Sequence, residues 1–274
     1  MSVGNTNIAK LADVYVVTSG KGGVGKTTTT ASLGAALAMK GKRTLVVDAD
    51  IGLRNLDVIL GLESRVVFNV VDVAKKVCKP NQATVKSKKS PNLYLLPASQ
   101  TDDKDVITEE ELKTTLEWYR REFDFILIDS PAGIEQGFKN ACVSASSALV
   151  VTTPEISAIR DADRVIGLLA ARSIEPKLIV NRIDFAMVRR GDMLSVDDVE
   201  DILGIETIGI VERDESVIVS SNCGDPVVYN PKSKAGSAFL RIAARLCGEN
   251  IPIACKEKPK SLLGRIGKHL GLNV

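Results

Sequence analysis

The sequence is poor in the residues on which several classes of enzyme depend. Among its 274 residues there is one histidine, His269, and aromatic residues make up only 4%. Because His269 is the single histidine, no Ser/His/Asp catalytic triad can form elsewhere in the chain, and most kinds of zinc site are excluded. Because aromatic residues are so few, the core must be built mainly from Val, Ile, Leu and Ala, which is typical of parallel strands covered by helices on both faces.

Charge and cysteine content exclude further classes of protein. The 36 Lys and Arg nearly balance the 34 Asp and Glu, so the net charge of +2 creates no whole-protein field that points to nucleic acid as a partner. No C-x-x-C pair occurs among the five cysteines, which are Cys78, Cys142, Cys223, Cys247 and Cys255. Their number and scatter predict reduced thiols in a cytosolic protein.

No segment of the sequence is predicted to cross a membrane. No stretch approaches the ~20 apolar residues that a transmembrane helix needs. The N-terminal MSVGNTNIAKLAD also lacks the long apolar core of a secretory signal. We therefore expect a soluble chain, unless some other feature attaches it to a membrane.

Short apolar runs alternate with helical patterns along the chain. The runs that predict strands are Val14–Ser19, Arg43–Asp50, Leu93–Ala98, Phe123–Asp129, Ser147–Thr153, Lys177–Arg182 and Glu206–Val211. Helical spacing is found over Thr27–Lys40, Thr108–Glu122, Ser157–Arg172, Ser195–Leu203 and Ser233–Cys247. This alternation predicts an α/β fold, with a mainly parallel, twisted sheet and helices on both faces.

The same pattern predicts the domain organisation. Residues 1–12 are expected to be an N-terminal extension, and residues 13–248 a single domain. The proline-containing stretch at 249–259 is expected to be a tether. The polar, basic stretch Lys79–Asn92 is expected to be a solvated surface loop.

One motif predicts a nucleotide site. Gly20 to Thr27 reads G-x-x-x-x-G-K-T, directly after a predicted strand and at the start of a predicted helix, which is the context that a phosphate-binding loop requires. Glycines let successive N–H groups turn toward phosphate oxygens, and the helix N-terminus adds its positive dipole end. In such a loop Lys26 would reach the β- and γ-phosphates of ATP, and the Thr27 hydroxyl would bind Mg²⁺.

Carboxylates at the ends of predicted strands supply the rest of this site. FILID ends in Asp129, which suits a residue that holds Mg²⁺ or its water. LVVDAD places Asp48 and Asp50 at the end of another strand, and Asp50, the more distal, is the better candidate to orient an attacking water. For Asp48 two interpretations stay open: a metal ligand, or a buried structural carboxylate bonded to the loop.

The purine base also needs a polar partner. Asn181 follows the apolar run LIV and carries an amide that can donate to and accept from the edge of adenine. An asparagine that only starts a turn after a strand is an equally good interpretation. The predicted nucleotide contacts are Gly20, Lys21, Gly22, Gly23, Val24, Gly25, Lys26, Thr27, Thr28, Asn181 and Arg182.

Several stretches together resemble one family. SGKGGVGKTTTT, residues 19–30, resembles the deviant Walker A loop, K-G-G-x-G-K-[ST], of the MinD/ParA family of P-loop ATPases. DADIGLRNLDVILGLE, LLPASQTDDKD, DSPAGIE, TTPEISAIRDADR, RGDMLSVDDV and KSLLGRIGKHLGL narrow the resemblance to its septum-site-determining members. It covers about residues 13–272. The sequence departs from the family pattern at one position: Val211 precedes Glu212, where relatives commonly have proline. The resemblance therefore implies no contact with the purine base at this position.

The resemblance implies a specific assembly. It implies an ATP-dependent sandwich dimer in which Lys21 crosses to the phosphates of the partner subunit, so that Lys21, Lys26, Asp50 and Asp129 form the catalytic set. Arg54 and Asn55 match family positions at the dimer face. Asp161 and Asp163 match the surface where protein partners dock, although both pairs could also be solvated charges.

The C-terminal segment at 260–274 is basic and amphipathic. On a helix, Leu262, Leu263, Ile266 and Leu270 fall within an arc of about 100°. A basic amphipathic segment at a chain end predicts a helix that lies in a membrane interface, and the alternative is a terminal helix docked on the domain. The expected location is therefore the cytoplasm and the cytoplasmic face of the plasma membrane.

The resemblance also implies the activity. It implies an Mg²⁺-dependent ATPase that regulates division-site placement by recruiting a division inhibitor to the membrane, and that a topological-specificity protein stimulates. No specific nucleic acid is expected. The alternative is a ParA-type DNA-segregation ATPase, which would need a basic surface on the folded domain. A reductase-like relative with an iron–sulfur cluster would need cysteines after Asp129, where only Cys142 follows nearby.

Overall fold

A single sheet organises residues 11–103 and 105–253, the part of the chain that this computed structural model describes. Within it the strands are β1 Asp13–Thr18, β2 Thr44–Asp48, β3 Val85–Lys86, β4 Leu93–Leu96, β5 Phe125–Asp129, β6 Ser147–Thr152, β7 Glu175–Ile183 and β8 Thr207–Glu212. Their order is β3-β4-β2-β5-β1-β6-β7-β8, and every neighbouring pair except β3–β4 is parallel. The predicted fold class is confirmed.

Helices cover both faces of this sheet. In the described residues they are α1 Lys26–Met39, α2 Leu56–Ile59, α3 Val70–Ala74, α4 Pro80–Ala83, α5 Glu109–Tyr119, α6 Gln136–Ala141, α7 Ile156–Ala171, α8 Phe185–Arg190, α9 Val196–Leu203, α10 Ser216–Asn222 and α11 Lys234–Leu246. Successive strand residues face opposite layers: Val14 and Val16 pack with α5 and α7, whereas Val17 packs with α1 and α11. Strands buried on both faces explain why the sequence shows continuous apolar runs.

Capping side chains explain where two predicted helices begin. Thr108 accepts from the N–H of Glu111, whose carboxylate accepts from the N–H of Thr108, and α5 starts at the next residue. Ser195 and Asp198 form the same reciprocal pair at the start of α9. Each pair satisfies two backbone N–H groups that the helix itself cannot.

The stretch Lys79–Asn92 differs from its prediction. It was expected to be a solvated loop, but Pro80–Ala83 form a helical turn and Val85–Lys86 pair antiparallel with β4. Ala83 and Val85 are buried, and the Tyr119 hydroxyl donates to the Pro80 carbonyl at 2.8 Å. The elements are too short to produce a periodic pattern among so many lysines, so the sequence carried no signal for them.

The strand order changes direction at β1, and this positions the functional residues. β1 lies between β5 and β6, so the carboxyl ends of β1, β2 and β5 come together at one edge of the sheet. In register, Asp129 lies beside Val17 on one side and beside Asp48 on the other. Ligands of open α/β sheets bind at such a switch point.

Two helical glycines allow a matched test of the packing. A Cβ on Gly34 would collide with the Val46 side chain, whereas a Cβ on Gly167 would meet nothing within 4 Å. Both changes to alanine gain the same helix propensity, so their difference reports packing alone. We expect Gly34→Ala to lower the free energy of unfolding by about 1–3 kcal/mol, and Gly167→Ala to raise it by up to about 1 kcal/mol. Urea denaturation measures both, and equal stability of the two variants would contradict this account of α1 packing.

Candidate functional site

The phosphate-binding loop connects β1 to α1. Gly23 and Gly25 have φ of 79° and 100°, a region that other residues rarely adopt. A Cβ on Gly20 would collide with the backbone of Asp161 in α7, and one on Gly25 would meet the Asn181 amide. The glycines are therefore required both by the loop conformation and by the close approach of α7 and β7. The result is an open backbone cradle of the kind that holds phosphate.

The Lys26 side chain lies beneath this loop and is fixed there by a hydrogen bond. Its side chain donates to the Ser19 hydroxyl at 2.9 Å, and that hydroxyl donates to the Lys21 carbonyl at 2.7 Å. The residue is only 7% exposed. Burial lowers the pKa of Lys26, while the nearby carboxylates of Asp129 and Asp50 act in the opposite direction. An ammonium already stripped of water and already placed can bind phosphate with little reorganisation.

Lys21 lies in a different environment. Its Nζ donates to the Ser157 hydroxyl at 2.9 Å and lies 3.7 Å from a Glu155 carboxylate oxygen, so it rests against the start of α7. Its side chain is 41% exposed. The two lysines of the loop are therefore separated in space: one is buried under the cradle, and the other lies at the surface.

Two buried carboxylates lie side by side at the base of the site. Asp129 is 2% exposed, Asp48 is 1% exposed, and they are neighbours across β2 and β5. Burial raises the pKa of both groups. The charge of Asp48 adds to the rise at Asp129, and the charges of Asp50 and Asp57 add to the rise at Asp48. The Thr30 hydroxyl donates to Asp129 at 3.1 Å, and the hydroxyls of Thr27 and Thr30 together with Lys26 act in the opposite direction. Such a pair has an excess of negative charge that a divalent cation would neutralise.

The structure shows how Asp48 is bonded to the loop that follows β2. One carboxylate oxygen accepts from the Asp50 N–H at 3.0 Å, and the other accepts from the N–H groups of Asn55 and Leu56 at 3.1 Å. Three backbone donors already use both oxygens, so Asp48 anchors the loop that follows β2. The role of Asp48 as a metal ligand stays a prediction. Thr27 and Asp129 fit the metal better, because they flank the cradle and their oxygens suit Mg²⁺.

The loop that Asp48 anchors carries Asp50, Arg54 and Asn55. Asp50 is half-buried, and its charge acts on Lys26, which places it near the phosphate end of the site. Arg54 has a positive φ of 45°, and its guanidinium donates to the buried Asp57 carboxylate at 2.6 Å. Only 15% of the Arg54 side chain is exposed, whereas Asn55 is exposed. Arg54 thus holds its own loop together, a role that the sequence analysis did not predict, and the dimer-face role of both residues stays a prediction.

Asn181 and Arg182 lie at the end of β7. The Asn181 amide donates to the Val24 carbonyl at 2.8 Å, and its oxygen accepts from the Arg182 N–H at 3.0 Å. Asn181 therefore fastens the phosphate-binding loop to β7, while Arg182 is exposed and has a positive φ of 56°. Contact of either residue with the base stays a prediction.

α7 presents the expected docking residues next to the loop. Asp163 is exposed and Asp161 is half-buried, and the backbone of Asp161 packs against Gly20. Ile156, at the start of α7, is 62% exposed. A partner that binds here would contact the helix that also touches Gly20 and Lys21.

Other predicted features have different outcomes. Leu262, Leu263, Ile266 and Leu270 lie outside the described residues, as does the tether beyond Ile253. No helix within 11–103 and 105–253 is long and apolar enough to cross a membrane. Cys78, Cys142, Cys223 and Cys247 are free thiols, as predicted for these four.

Sequence reasoning missed the residues that support the lysines and carboxylates. Ser19 and Thr30 lie at the two ends of the stretch SGKGGVGKTTTT, so the motif contained them without indicating a role. Ser157 and Glu155 contact Lys21 from 136 and 134 positions away, and Asp57 pairs with Arg54. Only the fold brings Ser157 and Glu155 to Lys21, whereas Asp57 lies three positions from Arg54.

Comparison with known proteins agrees with this geometry. Residues 12–175 match the family described as an AAA domain. The septum site-determining protein MinD of Bacillus subtilis is 49% identical over 266 residues, which cover 96% of this chain and 99% of that protein. The MinC:MinD cell division complex of Aquifex aeolicus contains a chain with a TM-score of 0.84 and 50% identity, covering 89% of this chain and 99% of that one. MinD from Pyrococcus horikoshii, complexed with Mg-ADP, has a TM-score of 0.79 and 29% identity, covering 88% and 100%.

The buried carboxylates predict how stability changes with pH. A carboxyl pKa that is raised in the folded state means that the folded protein binds more protons, so stability falls as pH rises above the ordinary carboxyl pKa. We expect Asp129→Asn to raise the free energy of unfolding of the nucleotide-free protein at pH 8 by at least about 1.4 kcal/mol, the equivalent of one pKa unit. The gain should shrink as pH is lowered to 5. Asp163→Asn, at an exposed site, is the matched control and should have little effect at either pH. Urea titration at both pH values measures this, and a loss of stability at pH 8 would contradict it.

Proposed function

Because this chain belongs to the septum-site-determining MinD branch of the MinD/ParA family of P-loop ATPases, we propose that it works as an ATP-dependent dimer that cycles onto the cytoplasmic face of the membrane. It is an Mg²⁺-dependent ATPase that acts in division-site placement. The observation that carries the dimer proposal is the separation of the loop's two lysines. Lys26 is buried under its own cradle, and Lys21 lies at the surface against α7.

Hydrolysis follows from positioning and electrostatics in our proposal. Lys26 and the loop N–H groups bind the β- and γ-phosphates, and Thr27 and Asp129 hold Mg²⁺ or its water, which neutralises charge on the phosphates. Asp50 orients the attacking water. Asn181 keeps the cradle in place, and Asp48 keeps in place the loop that carries Asp50, through their backbone hydrogen bonds. This arrangement needs no histidine, in agreement with the composition.

Lys21 completes the site of the partner subunit. A backbone cradle with one lysine leaves some of the developing charge on the phosphates unneutralised, and a second cation supplied in trans acts like an arginine finger. The contacts with Ser157 and Glu155 hold Lys21 at the surface of its own chain, where a second subunit can meet it. Dimerisation therefore depends on the γ-phosphate, since Lys21 needs a phosphate across the interface.

Replacing each lysine separates the two roles. Lys21→Ala should retain nucleotide binding, lose ATP-dependent dimerisation in analytical sedimentation, and hydrolyse ATP about 10³-fold more slowly. Lys26→Ala should lose nucleotide binding itself. Lys113→Ala, which removes an exposed lysine of α5, is the matched control and should behave like wild type. Normal ATP-dependent dimerisation of Lys21→Ala would rule out a role in trans.

The membrane attachment in our proposal comes from residues 260–274. Four apolar side chains give only weak, reversible binding to a bilayer, as a single lipid anchor does. Two such segments on one dimer raise the avidity by roughly 10²–10⁴-fold. ATP-driven dimerisation then acts as a membrane switch without any change in the segment itself.

Truncation tests this switch. A chain ending at residue 259 should lose ATP-dependent co-sedimentation with anionic liposomes while it keeps ATP-dependent dimerisation. Leu263→Glu in the full chain should act in the same direction, because it places a charge on the apolar face. Undiminished co-sedimentation of the truncated chain would mean that the domain itself binds the lipid.

The partners follow from the relatives. The Aquifex aeolicus complex pairs MinD with MinC, and we propose that a division inhibitor of that kind docks on α7 of this chain near Asp161 and Asp163. We further propose that a topological-specificity protein stimulates hydrolysis from the same face, where α7 touches Gly20 and Lys21. The relatives that match nearly the whole chain are septum site-determining proteins, which argues against the DNA-segregation alternative.

A further inference from the structure

Arg245, in the last turn of α11, binds three separate backbone carbonyls. Its Nε donates to the Ile251 carbonyl at 2.8 Å, its Nη2 to the Pro252 carbonyl at 2.8 Å, and its Nη1 to the Ile208 carbonyl at 2.9 Å. Two of these carbonyls belong to the segment that follows α11, and the third belongs to β8, the last strand of the sheet. One side chain therefore joins the start of the tether to the folded domain.

Neighbouring contacts hold the same segment. Gly248 has a positive φ of 86° and turns the chain back at the end of α11. The Glu249 N–H then donates to the Ala244 carbonyl at 3.0 Å, and the Glu249 carboxylate accepts from Lys40, at the end of α1, at 2.6 Å. Residues 248–252 are thus bound to α11, α1 and β8. Ile253, the next residue, is half-buried, so the predicted tether, 249–259, is held against the domain over its first five residues.

We propose that Arg245 is a positioning residue that shortens the effective tether of the membrane segment and so sets the avidity of the dimer for the membrane. This inference rests on the proposed function, in which two segments at 260–274 bind one membrane together. With Arg245 in place, six residues of the predicted tether, 254–259, separate the held segment from residue 260; in our proposal all eleven, 249–259, do so without it.

The size of the effect follows from linker length. For a flexible linker that can span its sites, the effective concentration of the second binding segment falls as about the −3/2 power of length. Lengthening the linker from six to eleven residues therefore lowers it about 2.5-fold. Only the dimer should show this loss, because a monomer binds through one segment whose own affinity for lipid does not change.

Arginine is suited to this role by its shape. The planar guanidinium carries five N–H donors in a fixed fork and remains charged, so one group can satisfy several carbonyls at once. A lysine at this position would keep the charge but not the fork. The alternative role for Arg245 is purely structural: the bound segment shields the free edge of β8 from pairing with other chains.

The experiment compares four full-length variants with wild type: Arg245→Gln, Arg245→Lys, Arg241→Gln, and an insertion of five Gly/Ser residues after Ile253. Arg241→Gln is the matched control, since it removes an exposed arginine of the same helix. Each is bound to vesicles of equal parts phosphatidylglycerol and phosphatidylcholine, with a non-hydrolysable ATP analogue or with ADP. Hydrogen exchange at the Glu249 and Ile251 amides reports the clamp directly.

We expect Arg245→Gln, Arg245→Lys and the insertion each to bind about 2.5-fold more weakly with the ATP analogue and unchanged with ADP. The two Arg245 variants, but not the insertion, should exchange faster at Glu249 and Ile251. Arg241→Gln should match wild type in both measurements. ATP hydrolysis without vesicles should be the same in all of them.

Each other outcome has a distinct meaning. If wild type shows no ATP-dependent vesicle binding, the proposed function fails, and this inference fails with it. If wild type binds but Arg245→Gln binds equally well, or exchanges no faster, the inference alone is overturned. Full vesicle binding by Arg245→Lys would show that the charge of residue 245 suffices, which overturns the role of the guanidinium fork. Undiminished binding by the insertion variant would show that tether length does not set vesicle binding, which overturns the inference. The insertion and Lys variants also decide the question if Arg245→Gln does not fold.

Discussion

The nucleotide site depends on the burial of opposite charges beneath one loop. Asp129 and Asp48 are removed from water at neighbouring strand ends, where burial and nearby carboxylate charges raise the pKa of each. Lys26 is buried above them with its pKa lowered. Unfavourable desolvation is offset by backbone N–H groups, threonine hydroxyls and the lysine itself, and it leaves a site whose electrostatics favour a divalent cation and phosphate.

Short packing contacts and hydrogen bonds connect this buried centre to the surrounding helices, strands and loops. Gly20 packs on α7, Asn181 fastens the loop to β7, and Asp48 holds the loop that carries Asp50 and Arg54. Lys21 lies at the outer edge of the same loop, against α7. A nucleotide, a second subunit and a docking partner would therefore all act on one small group of elements, which is the arrangement that couples separate binding events.

Most of the fold was predictable because its signals are local. The apolar runs located every long strand, and helical spacing located α5 and α9, whose starts Thr108 and Ser195 cap. The antiparallel strand Val85–Lys86 was missed because two residues give no periodicity. In the site, motif spacing predicted roles for Lys26, Thr27 and Asp129, whereas the three backbone N–H donors of Asp48 could be found only in the structure.

By itself, the sequence determined the fold class, the phosphate-binding loop and the strand-end carboxylates, because periodicity and motif spacing are properties of neighbouring residues. Only the tertiary structure decided which groups meet across long separations. Ser157 beside Lys21 is one such contact, and the Ile208 carbonyl beside Arg245 is another. Those contacts arise when strands and helices distant in sequence pack on one sheet, and no local pattern encodes the angle at which a side chain arrives there.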